Sequence, residues 1–283
     1  MRTILAAFVA VLGAITPVMA QDDEYTEAEY VDAMRFAMGD AVYSVYHEVG
    51  HMMVGEFALP VLGKEEDAAD SLAVILLLND DEDENSYQSL VDAADGWYFA
   101  AQKTAISGMA DLSFYDEHSL GIQRAYAMAC LMIGKDQEWF KDTADFYEID
   151  QDRRDSCAYT YQQSLAAWNT VLEPHLTTGK PSAAIDVIYD DAGPYQEFAD
   201  ALEERQILEH AAELITETYN LPRPIVFRAT QCGEANAYWS PSGELTYCYE
   251  MAEAMYNLYL SDVVYVYRDG EAGGNIEDQE EAE

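Results

Sequence analysis

The run His47-Glu48-Val49-Gly50-His51 sets two imidazoles four residues apart, with a carboxylate directly after the first. On an α-helix, positions i and i+4 lie on one face, so both rings can reach a single zinc ion. Glu48 falls beside that face, where it can take a proton from zinc-bound water. The chemistry such a group performs is hydrolysis. Zinc polarises a carbonyl, the water attacks, and the glutamate passes the proton to the leaving group. The bland alternative is a pair of partly buried helix histidines with no ligand.

Hydrolysis at zinc needs a third protein ligand and an open fourth position. Fifteen residues after His51 stands Glu66, within Gly63-Lys64-Glu65-Glu66-Asp67-Ala68-Ala69-Asp70. Glu66 and Asp70 lie one helical turn apart. Glu66 can bind the metal, and Asp70 can accept the second N–H of a ligating histidine and fix its tautomer. Glu65 is a rival ligand, but Ala69 stands one turn beyond it, so it lacks such a partner. The arrangement requires two helices folded back on each other. Met34, Met38, Val42, Val45, Val49, Met52 and Met53 recur at helical spacing, predicting one or two helices over about 30–59 with Met52 and Met53 in the core. Leu59-Pro60-Val61-Leu62-Gly63 breaks the pattern. A second helix follows over about 65–78, and its AVILLL end is apolar all round, hence buried.

A histidine pair of this type followed by a helix bearing Glu-x-x-x-Asp resembles the gluzincin clan of zinc metallopeptidases. More narrowly, LPVLGKEEDAAD after HEVGH is similar to the bacterial metallopeptidase family DUF4344. The similarity continues through Gln123-Arg124-Ala125-Tyr126 with Cys130, then Cys157 and Trp168, and Asn236-Ala237-Tyr238 with Cys248-Tyr249-Glu250. The resemblance implies a zincin-like fold acting on a peptide or protein substrate. It also implies one zinc ion on His47, His51 and Glu66, with Glu48 as base. Asn236 to Leu245 resembles a hairpin that other zincins place upstream of the histidine motif, which predicts a permuted order with the hairpin packed beside the zinc helix. Its outer strand could pair with an extended substrate; an ordinary structural hairpin is the alternative.

Helices are further predicted near 86–109, 119–133, 137–146, 151–172 and 195–219, with 174–194 as the most loop-like interior stretch. Ile225-Val226-Phe227 reads as a short strand, Ala235 to Tyr247 as two strands around Pro241-Ser242-Gly243, and about 249–260 as a helix. The expected fold class is α+β, predominantly helical, with a small sheet from the C-terminal third. Residues 21–268 form one domain in this reading, and the acidic segment 269–283 is a disordered tail. The acidic run 80–84 lacks the spacing of a calcium loop and reads as a solvated loop.

The formal charge is −40, from 14 basic and 54 acidic side chains. Without a basic patch, that charge excludes nucleic acid and anionic lipid as default partners. Residues 1–20 combine Arg2, an apolar run and Val18-Met19-Ala20, as in a cleaved signal peptide; a retained anchor is the alternative. No later segment is apolar enough to span a bilayer. Export, periplasmic or secreted, permits disulfides. Of the three pairings of four cysteines, Cys130–Cys157 and Cys232–Cys248 keep each bridge within one local unit. A cysteine zinc site is disfavoured because no C-x-x-C occurs.

Charge developing on the attacked carbonyl needs a donor beyond the metal, and His118, Arg124, Tyr126 and Tyr238 are candidates. Arg124 has an alternative role as counter-charge to buried carboxylates. The resulting expectation is an exported zinc metallopeptidase. Its alternatives are a non-catalytic zincin-like binding protein and a zinc hydrolase of a non-peptide amide.

Overall fold

The computed structural model describes residues 25–80, 84–107, 115–179, 182–266 and 268. The expected signal peptide (1–20), the tail (269–283) and most of the acidic loop lie outside the described residues.

The organising element is α1 (Glu27–Phe57). Its start is fixed by a capping box: Thr26 Oγ accepts from the Glu29 N–H at 3.3 Å, and the Glu29 carboxylate accepts from the Thr26 N–H at 2.7 Å. Its end is set by Ala58 in the left-handed region, after which Pro60 prevents continuation. Most of α1 beyond its first two turns is buried, including Met52 and Met53 at 0% exposure, because other elements pack around it.

Around it lie α2 (Glu65–Asp80), α3 (Glu84–Ser107), α4 (Gly121–Lys135), the short α5 (Lys141–Phe146) and α6 (Gln151–Leu172). The C-terminal third carries β1 (Ile185–Tyr189), α7 (Gln196–Glu204), α8 (Ile207–Thr218), β2 (Ile225–Thr230), β3 (Ala237–Ser240), β4 (Glu244–Cys248) and α9 (Tyr249–Leu258). The fold is therefore α+β and predominantly helical, with a four-stranded mixed sheet of order β1-β2-β4-β3. β1, β2 and β4 run parallel, and β3 is the antiparallel edge strand.

Three expectations are corrected. The loop-like stretch 174–194 contains β1, whose five residues pair with Ile225–Ala229. The helix expected over 195–219 is two, broken at Gln206 with φ 53°. The helix expected over 137–146 is helical only from Lys141. Both cysteine pairs form the expected bridges, Cys130–Cys157 joining α4 to α6 and Cys232–Cys248 tying the approach to β3 onto β4. Among the described residues, no helix is long and apolar enough to cross a membrane.

Candidate metal centre

The three residues expected as ligands meet at one point. His47 Nε2 lies 3.2 Å from His51 Nε2 and 3.2 Å from Glu66 Oε2, and His51 Nε2 lies 3.3 Å from the same oxygen. Tetrahedral bonds of about 2.0–2.1 Å place neighbouring donors about 3.3–3.4 Å apart, so this triangle fits a four-coordinate divalent ion with one position open. The donor set, two imidazoles and a carboxylate, suits such an ion.

Local packing explains how Glu66 arrives there. Gly50 lies inside the histidine motif, and a Cβ on it would sit 2.9 Å from the Cα of Ala69. Only glycine lets the α2 backbone approach α1 this closely, one turn from the Glu66 carboxylate. The Pro60–Gly63 link reverses the chain between them.

Each imidazole has a carboxylate on its other nitrogen. Asp70 Oδ1 lies 2.8 Å from His47 Nδ1, an ionic contact rather than an aligned hydrogen bond. Glu65 Oε1 lies 2.9 Å from His51 Nδ1. Glu65, which has Ala69 and no carboxylate one turn on, pairs across to α1 instead of along its own helix. Tyr43, one turn before His47, donates its hydroxyl to Asp70 Oδ1 at 2.5 Å. The 43/47/51 spacing could have revealed it.

Of the two roles open to Arg124, the structure favours counter-charge over carbonyl donor. Arg124 is 4% exposed, its guanidinium donates to both oxygens of Asp70 at 2.7 and 2.5 Å, and it stacks on Trp97. It serves as the counter-charge to Asp70 and is not aimed at the cleft. Tyr126 donates to the Tyr147 carbonyl, away from the site. Strand alternation likewise corrects Tyr238. Trp239 faces α1, with its Nε1 3.5 Å from where a Gly55 Cβ would stand, so the Tyr238 side chain leaves the opposite face of the sheet. His118 is brought in. Its Nε2 lies 3.1 Å from Glu66 Oε2, while Lys64 Nζ holds the loop by donating to the carbonyls of Asp116 and His118 at 3.2 and 2.9 Å.

Charge at the site is strongly polarised. Burial opposes the imidazolium of His51, but Glu66 and Glu65 outweigh it and push its pKa up to about 9. His47 is raised as well: burial opposes its charge, and Asp70 and Glu66 prevail. Burial alone would raise Asp70, yet His47 and Arg124 lower it to about 2. Both histidines thus sit where positive charge is favoured, which is what a cation site requires. Glu48 is 7% exposed; burial raises its pKa, while the two histidines and the backbone N–H of Trp239, which faces it from β3, temper the rise.

The family model DUF4344, described as "Putative metallopeptidase", matches residues 11–172 and 190–269. The chain belongs to this family. No curated protein and no solved structure matches it. In this metallopeptidase-family chain, His47, His51 and Glu66 are a group able to hold a metal ion. The second cluster of metal-binding residue types, Cys232, Cys248 and Glu250, has both thiols in a disulfide. Its Glu250 carboxylate instead accepts the backbone N–H groups of Cys232 and Gly233.

Proposed function

We propose that the chain is an exported zinc-dependent peptidase in which Glu48 is the general base. The observation that carries this reading is the 3.2–3.3 Å triangle of His47, His51 and Glu66 donor atoms beside the buried Glu48 carboxylate. Zinc held by that triad would supply Lewis acidity to the substrate carbonyl and to the attacking water. Glu48 receives the proton of that water and delivers it to the leaving amine, a role suited to a carboxylate whose affinity for protons is raised by burial. The Trp239 N–H fixes the orientation of Glu48. His118, half-exposed at the rim of the site, donates to the carbonyl oxygen as charge develops on it.

Edge strand β3 runs along α1, so an extended peptide added to its outer edge would pass over the site. In an antiparallel pair the residues face the partner strand alternately. Tyr238 and Ser240 pair toward β4, whereas Trp239 directs its N–H outward to Glu48 and its carbonyl to the same open edge, where it can accept from the peptide. Export is supported by the N-terminal pattern and by the two disulfides.

The test is digestion of a mixed peptide library by zinc-loaded wild type and Glu48→Gln, with products mapped by mass spectrometry. Wild type cleaves, and Glu48→Gln binds zinc equally but loses at least about a hundredfold in rate. Equal cleavage by both proteins, or none by zinc-loaded wild type, overturns the reading.

A further inference from the structure

At the far end of α2 from Glu66, about 20 Å along the helix, the C-terminus of α2 with α3, α4 and α6 lines an open cavity of about 670 Å³. Its volume lies in the range of small-molecule sites. None of its residues takes part in the metal centre.

One side of the cavity is an aromatic corner. Trp139, 36% exposed, stands edge-on to Tyr87, with ring centroids 5.1 Å apart and planes at 84°. The other side is polar and planar. Asn79 Oδ1 accepts from the Tyr161 hydroxyl at 2.9 Å and from Lys135 Nζ at 3.3 Å. The exposed amide of Gln162 bonds to no other described residue. Asp136 Oδ1 accepts the backbone N–H groups of Glu138 and Trp139, both at 3.0 Å, and so sets the turn that presents the indole.

The walls are rigid. Cys130–Cys157 ties α4 to α6, and a Cβ on Gly134 would stand 2.3 Å from the Cys157 carbonyl oxygen. The two helix backbones therefore touch beside the cavity, and its shape is set before any ligand arrives.

Charge restricts the class of ligand. The described lining holds one lysine and one aspartate, Lys135 and Asp136, and is formally neutral on a chain of −40. An anion would be repelled by the chain, and the one carboxylate among the described lining residues, Asp136, is already engaged by the Glu138 and Trp139 N–H groups. A wholly apolar molecule would strip water from Gln162 and Asp136 without replacing it. A molecule with a C–H face for the indole and hydroxyls for amide and carboxylate satisfies both sides. We propose that this cavity binds a short neutral oligosaccharide, the sugar ring lying on Trp139 and its hydroxyls bonding to Gln162, Asp136 and Lys135.

The test uses the full chain with maltotriose, cellotriose and tri-N-acetylchitotriose, followed by saturation-transfer NMR. At least one binds with a Kd of about 0.1–5 mM. Gln162→Trp, which replaces an exposed side chain with one that fills the cavity, abolishes the transfer while peptide cleavage and melting temperature stay unchanged. Trp139→Phe weakens binding about tenfold. Absence of transfer from all three sugars at about 10 mM, or transfer that survives Gln162→Trp, overturns the proposal.

Discussion

Glu65 Oε1 lies 2.9 Å from Nδ1 of His51, on the far side of the imidazole from the atom that meets His47 and Glu66. Asp70 stands in the same relation to His47, at 2.8 Å. Two consecutive turns of α1 thus present their rings between a carboxylate behind and a shared focus in front.

The first prediction follows from that symmetry. Partners behind a ligating histidine fix its tautomer and orientation, and their loss typically costs ten- to a hundredfold in metal affinity. Glu65→Ala therefore weakens zinc binding by about tenfold, and Asp70→Asn by more, because Asp70 is buried and also holds Arg124 and Tyr43. Competition titration with a chromophoric chelator reads both. Unchanged affinity in Glu65→Ala would reduce its contact with His51 to a surface ion pair.

A second prediction concerns stability. Arg124 and Asp70 are 4% and 7% exposed and joined by two hydrogen bonds. Truncating one partner leaves a buried charge without compensation, which costs about 3–5 kcal/mol. Arg124→Met should lower the denaturant midpoint accordingly, whereas Tyr238→Ala, on the outer face of the sheet, should leave it nearly unchanged.

The third concerns pH. Asp40, Asp92 and Asp95 are buried on α1 and α3, and burial raises their pKa values to about 7, 6 and 7. Their folded-state values exceed the unfolded one, so the folded chain holds protons that the unfolded chain releases. The contribution is complete below about pH 4 and is lost as pH rises toward 7, by at most about 1.4 kcal/mol per pH unit per group. Asp95→Asn retains a partner for the Tyr147 hydroxyl, which donates to Asp95 Oδ1 at 3.0 Å, and removes the titration. The wild type should lose stability relative to Asp95→Asn between pH 4.5 and 7 in urea denaturation. A constant difference between the two would contradict the assignment.

The site was largely legible because its parts are local. The 47/51 spacing, the Pro60–Gly63 reversal and the 66/70 spacing each act within one helix or one turn. Where tertiary approach decides, the sequence offered the candidate residue but not its contact. Glu65 pairs with a ring on the neighbouring helix, and His118 reaches Glu66 through a loop clamped by Lys64. Arg124 could be placed on a helix but not aimed, since its direction is set by a carboxylate 54 positions away. In the fold, Ile185–Tyr189 lies between stretches rich in proline and glycine, and becomes a strand by pairing with β2. The break at Gln206 has no glycine or proline to announce it.

The central claim is that His47, His51 and Glu66 jointly hold one zinc ion. Zinc content after extensive dialysis, measured by mass spectrometry on wild type, His51→Ala and Glu66→Ala, tests it most directly. The account predicts one zinc per wild-type chain and less than about a tenth of that in either variant, with the cooperative unfolding of both variants preserved. Wild type without zinc, or stoichiometric zinc retained by His51→Ala, would contradict it.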